Sequence, residues 1–582
     1  MTLSCRRMRA ICAAAAISIL FGCSDGGGRV RPKVVPSASP SPSTVSASVS
    51  PTPAPAPAPA PFLELSVIGT SDLHGRITTL PRLGGFLTLL RAVRPVLLVD
   101  GGDMFQGTLE SNGVEGEVVV AAYRGLGYDA VAIGNHEFDY GPVGPAAVAK
   151  AGQDAQGALR ARAAQAKGAF PFLSANLRDA TTGALPAWDN VAATRLVERG
   201  GLQVGIIGLS TESTPRTTMA ANFAGLAVAP LAEVITTEAA ALRTRGAQVV
   251  VVTAHAGGKC GKLDATAPDD LGSCDEREEI FEVARALPAG AVDVIVGGHT
   301  HQGVAHRVNG IAIVQSFANG KAFGRVDLTW DRAGKRLSAV KIFPPQSVED
   351  DSYQGLQVVP EAAIEQLITP AVEAAAARRG EPLGVTLEGP LKRDYDAESA
   401  LGNLIATLML EAGADADIAI TNGGGLRADL PAGPLTYGAL YDAQPFDNRF
   451  ARLTMTGRQL RALVKRNLGS TGGVLSLAGV TVEAVCVRAK LEVTLLRAAK
   501  GKKKAAPIAD GDSLQILTSD FLATGGDDFG KADKAVIDEA GEPLREAVVA
   551  RLRARGGTLR ASEWLVPPRM VMPGKRPVRC KN

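Results

Sequence analysis

Five of the six histidines in this 582-residue chain follow short hydrophobic runs that end in small residues. Each run leads into candidate metal ligands: 65–68 precedes Asp72 and His74, 96–99 precedes Asp103, 130–133 precedes Asn135, 249–252 precedes His255, and 294–296 precedes His299 and His301. The fifth histidine, His136, directly follows Asn135. A single histidine after a strand is usually a core or surface residue. Five such coincidences instead predict one shared site, and only His306 lacks this setting.

The ligand types predict which ions the site binds. A mixture of His, Asp and Asn ligands suits borderline or hard divalent ions such as Zn, Mn, Co, Fe or Ca, and leaves the choice among them open. Seven groups are too many for one tetrahedral ion but are enough for two ions that share a carboxylate. Two ions about 3.5–4 Å apart can hold a hydroxide between them and clamp a phosphoryl oxygen. The sequence therefore predicts in-line attack on a phosphate ester.

Besides the candidate metal ligand Asn135, the run GNHEFD contains a histidine, His136, with a different candidate role. Gly134 ends the preceding strand, and His136 offers an imidazole for proton or charge work. Asp139, three residues on, could hold that imidazole in one tautomer. The alternative is a polar turn with a satisfied histidine.

Strands and helices alternate from about residue 63 to residue 345. Hydrophobic patterning predicts strands near 64–69, 96–99, 130–133, 171–174, 203–208, 247–253, 293–296, 311–316 and 324–329, and helices near 82–93, 115–126, 142–165, 229–245 and 275–287. Such alternation predicts a layered α/β domain, and the ligands would lie at the carboxyl ends of its strands. Asp100 is expected to be structural.

Composition breaks support two domains. We expect a signal peptide at 1–22, a tether at 23–61, a first domain at 62–358, a connecting helix at 359–380 broken or kinked at Pro370, a second α/β domain at 381–575 and a tail at 576–582.

The first 61 residues predict export and anchoring. Three arginines precede the apolar stretch 10–21, which is too short to span a bilayer, and Cys23 follows it in the run LFGC. This run is similar to a bacterial lipobox, in which the cysteine is lipidated. Residues 24–61, rich in Pro, Ala and Ser, read as a semi-extended tether. We expect a body held at a membrane of the cell envelope, with a cleaved soluble product as the alternative.

The remaining cysteines predict disulfides. Cys260, Cys274, Cys486 and Cys580 allow three pairings, and we expect Cys260 with Cys274 and Cys486 with Cys580 because the first pair closes a short loop. A zinc site is the competing hypothesis. Without the arginines of the signal, the net charge of +3 falls to about zero, so no nucleic-acid polymer is expected as a partner. No obligate protein partner is inferred.

The motifs DLHG, GGD, GNHEFD, AHAGG and GGHTH resemble those of the calcineurin-like metallophosphoesterases. The body from about 64 to 575 resembles bacterial periplasmic 5′-nucleotidases and UDP-sugar hydrolases. The resemblance implies a four-layer sandwich domain followed by a smaller α/β substrate-binding domain. It implies one metal on Asp72, His74, Asp103 and His301, and another on Asp103, Asn135, His255 and His299. His136, backed by Asp139, would not be a ligand but would stabilise charge on the phosphoryl oxygens or the leaving group.

The same resemblance implies that the second domain binds the nucleotide. ITNGGGLR supplies Asn422, Gly424 and the phosphate-gripping Arg427, with Arg393 as a second phosphate contact. Phe446 and Asn448 in QPFDN, with Phe521 and Asp527 in DFLATGGDDF, resemble base-binding elements, since two rings can sandwich a nucleobase.

These observations predict an exported two-metal hydrolase of nucleoside 5′-monophosphates. The alternatives are a relative acting on UDP-sugars or 2′,3′-cyclic nucleotides, or a tethered nucleotide-binding protein without turnover.

Overall fold

The computed structural model describes residues 60–581 except 264–265, 414, 499–504, 531–534 and 539–540. The predicted signal peptide, Cys23 and all but the last two residues of the tether lie outside this part of the chain.

Two packed sheets with helices on their outer faces form the first part of the described chain. Its strands are β1 Phe62–Thr70, β2 Val96–Asp100, β3 Ala130–Ala132, β4 Phe172–Leu173, β5 Leu177–Asp179, β6 Val191–Ala192, β7 Thr194–Arg199, β8 Leu202–Ser210, β9 Leu226–Val228, β10 Val249–His255, β11 Val294–Val296, β12 Gly303–Val308, β13 Ile311–Ser316, β14 Ala322–Asp331, β15 Arg336–Ser347, β16 Ser352–Tyr353 and β17 Leu356–Gln357. Its helices are α1 Leu80–Val93, α2 Leu109–Asn112, α3 Glu117–Leu126, α4 Gly157–Ala166, α5 Thr214–Thr217, α6 Leu231–Thr244, α7 Glu279–Ala286 and α8 Ala362–Arg379.

The two sheets have the strand orders β15-β14-β1-β2-β3-β4-β6 and β12-β13-β11-β10-β8-β7. Val67, Val99, Val251 and Val296 belong to one core cluster between the sheets. Residues of α1 and α3 form a second cluster on one outer face, and residues of α6 and α7 form a third on the other. The order of layers is therefore helix, sheet, sheet, helix, which confirms the four-layer sandwich.

The central strands are nearly continuous apolar runs because both of their faces are covered. β1 pairs in parallel with β2, and β2 with β3, while β10 pairs in parallel with β8 and β11. The carboxyl ends of parallel strands share one edge, so the loops that follow them converge there.

Two predicted helices are shorter than the hydrophobic pattern suggested. Residues 142–156 form turns, and only Gly157–Ala166 is helical, because Gly144 and Gly152 adopt left-handed backbone that a helix cannot contain. The helix predicted at 115–126 begins at Glu117, since Glu115 and Gly116 are also left-handed.

The predicted connecting helix is present as α8 but is not broken at Pro370. Pro370 and Gln366, the residue whose carbonyl loses its partner, are both exposed, so water can satisfy that carbonyl. α8 packs against α1, α2 and α3 of the first part and α10 of the second, Tyr437–Ala443.

A second α/β body follows α8. Its strands are β18 Pro382–Leu387, β19 Ile418–Asn422, β20 Gly433–Thr436, β21 Phe450–Thr456, β22 Leu475–Ala478, β23 Val480–Val487, β24 Lys490–Arg497, β25 Ala506–Pro507, β26 Ser513–Ser519, β27 Val536–Ile537, β28 Gly557–Leu559 and β29 Met570–Val571. Its other helices are α9 Ala400–Ala412, α11 Gly457–Leu468, α12 Asp520–Ala523, α13 Leu544–Arg555 and α14 Ser562–Leu565. The described strands form sheets in the orders β22-β19-β26-β21-β27, β20-β18-β28 and β25-β24-β23-β29. Among the described residues, we find no helix long and apolar enough to cross a bilayer.

Both predicted disulfides are present, Cys260–Cys274 and Cys486–Cys580. The zinc alternative therefore does not hold, because none of the four sulfurs is a free thiolate. His306 lies on β12, buried beside the Cys260–Cys274 bond.

Removing the Cys486–Cys580 bond is expected to destabilise the protein. It spans 94 residues of sequence, so the double variant Cys486→Ser/Cys580→Ser frees a large loop in the unfolded chain. We expect the free energy of unfolding to fall by about 2–5 kcal/mol. The thermal midpoint of the variant, compared with the wild type in non-reducing buffer, measures this loss, and an unchanged midpoint would contradict it.

Candidate active site

The seven predicted metal ligands lie together at the shared edge of the two sheets. They come from the loops after β1, β2, β3 and β11 and from His255, the last residue of β10. Asp72, Asp103 and His255 are at most 1% exposed. The sequence separation between these residues is large, and their proximity comes from the parallel pairing of the strands.

The ligand atoms form two groups, Asp72 with His74 and His301, and Asp103 with His255 and His299, and within each group they lie within 4.8 Å of one another. Asp103 Oδ2 lies 3.0 Å from His255 Nε2 and 3.9 Å from His74 Nε2, so this carboxylate lies between the groups. Asn135 Oδ1 lies 3.0 Å from His255 Nε2. This arrangement matches the two predicted ligand sets, and the role of each residue as a ligand stays a prediction.

The imidazoles are oriented by hydrogen bonds on their far nitrogens. His74 Nδ1 donates to the carbonyl of Gln106 at 2.9 Å, and His255 Nδ1 donates to the carbonyl of Gly101 at 2.8 Å. Such bonds fix the ring plane and direct the other nitrogen into the cluster, as in protein metal sites.

The contacts of Arg427, a residue of the second α/β body, indicate whether His74 and His301 can bind a cation. Its Nη2 lies 3.1 Å from His74 Nε2 and 3.3 Å from His301 Nε2. A guanidinium N–H can only donate, so both imidazole nitrogens accept and carry lone pairs that point into the cluster. Neutral imidazoles with inward lone pairs are the form that binds divalent ions, so the residues fit a metal centre.

Five of the seven residues have left-handed backbone, with φ of 53° at Asp72, 48° at His74, 58° at Asp103, 76° at His299 and 58° at His301. This conformation is uncommon and costly for residues other than glycine, and such strain concentrates at functional sites. The packed sheets hold the loops in this shape.

Gly134 allows the loops after β2 and β3 to approach closely. A Cβ at this position would lie 2.2 Å from Asp103 Oδ1 and 2.5 Å from its backbone nitrogen. Only hydrogen fits in this space, so Gly134 is required by the position of Asp103.

Burial shifts the pKa values of carboxyls and imidazoles in the cluster, and neighbouring charges add to these shifts or oppose them. Burial raises the pKa of Asp72 to about 7, and burial with the positive Arg427 lowers the pKa of His74 and His301 well below its ordinary value. Burial also disfavours the charged form of Asp103, but His255 and His136 outweigh it and hold the pKa of Asp103 well below its usual range. Asp103 therefore stays ionised.

His136 and Asp139 form the predicted pair. His136 Nδ1 lies 2.5 Å from Asp139 Oδ2, on the 3-10 turn His136–Phe138. Burial lowers the pKa of His136, but Asp139 and Asp103 more than offset this and raise it above its ordinary value. His136 Nε2 lies 4.0 Å from Asp103 Oδ2, so the imidazole borders the metal cluster.

The predicted nucleotide-binding residues line the same cleft, which has a volume of about 1630 Å³. The ring of Phe446 lies 5.4 Å from that of His136 and 5.8 Å from the Arg427 guanidinium. Asn422 Nδ2 donates to Asp527 Oδ2 at 2.5 Å.

The other predicted nucleotide contacts also line this cleft. Phe521 packs on Gly526, where an added Cβ would lie 2.4 Å from the ring, and Asn448 and Gly424 also line the cleft. The Arg393 guanidinium donates to the carbonyl of Leu426, within its own body.

The sequence did not reveal the role of Glu137. Its buried carboxylate accepts the backbone N–H groups of Asp103, Met104 and Gly134 at 2.7–2.8 Å and so holds the Asp103 loop. The position of Glu137 inside the run GNHEFD was the feature of the sequence that could have indicated this role.

The sequence also did not reveal that the segment 211–218 belongs to the site. This segment follows β8 at the same edge of the sheets. Its polar residues come directly after an apolar run, as the predicted ligands do, but it contains no histidine or carboxylate at the metal cluster.

Comparisons with known proteins agree with this architecture. A family model described as "Calcineurin-like phosphoesterase" matches residues 65–303, and one described as "5'-nucleotidase, C-terminal domain" matches residues 381–534. Protein UshA of Escherichia coli (strain K12) is 28% identical over 522 residues, covering 81% of this chain and 87% of UshA. Endonuclease YhcR of Bacillus subtilis (strain 168) is 30% identical over 429 residues, covering 72% of this chain but only 32% of YhcR. This chain thus spans about a third of that larger relative.

The crystal structure of a 5'-nucleotidase precursor from Thermus thermophilus has the same fold, with a TM-score of 0.70 at 24% identity, covering 88% of this chain and 99% of that one. Together the findings define a metal-dependent phosphoric ester hydrolase. The chain belongs to the 5′-nucleotidase family, in which a calcineurin-like phosphoesterase domain precedes a 5′-nucleotidase C-terminal domain.

Substituting Gly134 by alanine is expected to displace Asp103 and to lower kcat/KM by about 100-fold, because a shift near 1 Å is enough for such a loss. Gly389→Ala is the matched control, since nothing lies within 4 Å of a Cβ there. Hydrolysis of a phosphate ester measures both variants, and equal activity would contradict the assignment of this close approach.

The metal-free protein is expected to lose stability as the pH rises from 6.5 to 8. In the folded state burial raises the pKa of Asp72 and Asp100 to about 7 and of Glu137 to about 8, whereas unfolded carboxyls ionise near 4. The folded protein therefore holds protons that the unfolded chain lacks, and these are lost across this window. The histidines with lowered pKa are neutral in both states above pH 6.5, so they do not oppose the change.

Added Mn²⁺ is expected to stabilise the protein more at pH 8 than at pH 6.5, because metal ligands must be deprotonated. Thermal unfolding with and without Mn²⁺ measures both effects. A metal-free midpoint that rises from pH 6.5 to 8 would contradict the assigned shifts.

Proposed function

We propose that this protein is an exported 5′-nucleotidase that removes phosphate from nucleoside 5′-monophosphates with two divalent metal ions. The observation that carries the proposal is the meeting of two parts of the chain in one cleft. The buried His and Asp side chains come from the first part of the described chain, and Arg427 and Phe446 come from the second α/β body.

Each group has a chemical role in this proposal. Asp72, His74, Asp103 and His301 would hold one cation, and Asp103, Asn135, His255 and His299 would hold the other. Cations bound there would lower the pKa of water and neutralise charge on phosphoryl oxygens. His136, held by Asp139 and with its pKa raised by Asp139 and Asp103, would stabilise negative charge on the phosphoryl or leaving oxygen. Arg427, with Arg393, grips the phosphate.

The remaining residues would read the nucleoside. Phe446 and Phe521 line the cleft and offer π-faces to a base, and Asn448 and the Asn422–Asp527 pair offer polar contacts to base and ribose. Gly424 lets the backbone approach the ligand.

Export and lipidation at Cys23 rest on the sequence pattern of residues 1–61. They would place this activity in the cell envelope, tethered to a membrane.

The size of the cleft favours a second candidate. A volume of about 1630 Å³, lined on its outer side by Lys259, Arg277 and Lys575, can take a substrate larger than a mononucleotide. A UDP-sugar is one such substrate.

The proposal is tested with added Mn²⁺ by measuring phosphate release from AMP and 4-nitrophenyl phosphate, and by measuring substrate loss and products chromatographically for UDP-glucose, a 2′,3′-cyclic nucleotide and a DNA oligonucleotide. We expect strong preference for AMP. Phe446→Ala and Phe521→Ala should each lower kcat/KM for AMP by about 10-fold or more, and leave the base-free ester unchanged, because stacking is worth about 1–3 kcal/mol per base. Phe62→Ala, at an exposed ring, is the control. Equal rates on all substrates would contradict base recognition.

Replacing His136 by alanine is expected to lower kcat on AMP by about 10²–10³-fold, the range for removing one group that stabilises negative charge in the transition state. Metal content measured in the same variant should equal that of the wild type, because His136 is not a ligand in this proposal. Normal turnover, or loss of a metal ion, would contradict the role assigned to it.

A further inference from the structure

The segment 213–218, which contains the short helix α5, contacts three residues of the proposed hydrolytic centre. Ser213 Oγ lies 3.2 Å from His299 Nε2, and the carbonyl of Thr217 accepts from Asn135 Nδ2 at 3.0 Å. Thr218 Oγ1 donates to Asp139 Oδ1 at 3.1 Å. One turn of chain after β8 thus reaches both a proposed metal site and the His136 pair.

Ser213 lies on the side of His299 that faces away from the cluster. His299 Nδ1 lies 3.2 Å from His255 Nε2, inside the cluster, so His299 would bind a cation through Nδ1. The proton must then be on Nε2, where the Ser213 oxygen accepts it. This contact sets both the tautomer and the ring plane of His299.

The Thr217 carbonyl likewise sets the orientation of the Asn135 side chain. An amide has one donor end and one acceptor end, and the bond from Nδ2 to this carbonyl leaves Oδ1 pointing towards His255.

Thr218 acts on the other half of the centre. Its side chain is 1% exposed. Asp139 Oδ2 takes the bond from His136, and Asp139 Oδ1 takes the bond from Thr218, so both oxygens of this carboxylate are held. A carboxylate fixed at both oxygens cannot rotate, which keeps His136 Nε2 directed at the cleft.

We propose that Ser213 and Thr218 are positioning residues with separate tasks, Ser213 for metal binding through His299 and Thr218 for turnover through Asp139 and His136. The inference rests on the proposed two-metal hydrolysis. Both tasks come from one short segment, whose backbone is held by hydrogen bonds from Thr214 N to the carbonyl of Thr211 and from Thr218 N to the carbonyl of Thr214.

The same turn supplies a matched control. Thr214 is fully buried, and its Oγ1 donates at 2.7 Å to the carbonyl of Thr211, so the contacts of this hydroxyl stay within the turn. Thr214→Val removes a buried hydroxyl of the same kind without touching a residue of the site. The Mn²⁺ affinity and the kcat of Thr214→Val therefore measure the effect of structural damage to the turn alone.

The test uses the full chain, freed of metal, in four variants: Ser213→Ala, Thr218→Val, Thr218→Ser and Thr214→Val. Calorimetric titration with Mn²⁺ alone measures metal affinity, and thermal unfolding measures stability. We expect Ser213→Ala to bind Mn²⁺ about 10-fold or more weakly than Thr214→Val and to regain kcat at saturating Mn²⁺. Thr218→Val should bind Mn²⁺ as Thr214→Val does but show at least about tenfold lower kcat with unchanged KM, and Thr218→Ser should restore it.

Two results would overturn the inference: Mn²⁺ affinity of Ser213→Ala equal to that of Thr214→Val, or kcat of Thr218→Val equal to that of Thr214→Val at saturating metal. Turnover is measured on AMP and on 4-nitrophenyl phosphate. If only AMP fails as a substrate of the wild type, the proposed function is wrong, and both positioning tasks are still decided with the second ester and with Mn²⁺ alone.

Discussion

The carboxylate of Asp103 lies where the loops of both sheets meet, and it is 1% exposed. A buried carboxylate is stable only when positive charge or hydrogen-bond donors surround it. Asp103 is within 3.0 Å of His255, within 4.0 Å of His74 and His136, and accepts the backbone N–H of His136. Bringing these partners together requires left-handed backbone at several residues and a glycine at 134. The need to balance the negative charge of Asp103 thus determines the conformation of the loops around it.

The second α/β body completes the site that the first body begins. Arg427 reaches the imidazoles of His74 and His301. Ion pairs outside the cleft hold the same arrangement: Arg76 binds Asp442, and Arg379 of α8 binds both Asp442 and Glu110. In these pairs the arginines are partly exposed and the carboxylates are largely buried, and the pairs add to the packing of α8 against both bodies. Predicted metal ligands such as Asp103 and His299 and the proposed base-binding rings thus come from different parts of the chain and line one cleft.

The fold and the meeting of the predicted ligands at one edge of the sheets could be predicted from the sequence because both depend on local patterns. Apolar runs ending in small residues fixed the strands, and parallel pairing then required the polar residues after them to meet. The helix expected at 142–165 is present only over Gly157–Ala166 because two glycines before it adopt left-handed backbone, and α8 continues through Pro370 because exposure lets water replace the lost bond. The contacts of Glu137, Ser213 and Thr218 could not be predicted, since a hydroxyl or a carboxylate acquires its partner only when distant loops are packed together.

The central claim, two cations that share Asp103, is tested most directly by counting metal ions. Elemental analysis of the Mn²⁺-loaded protein after removal of free metal should give two ions per chain for the wild type. Asp103→Ala removes the shared carboxylate and should retain fewer than two, whereas His306→Ala, at a histidine outside the cluster, should retain both. One ion in the wild type, or two in Asp103→Ala, would contradict the account.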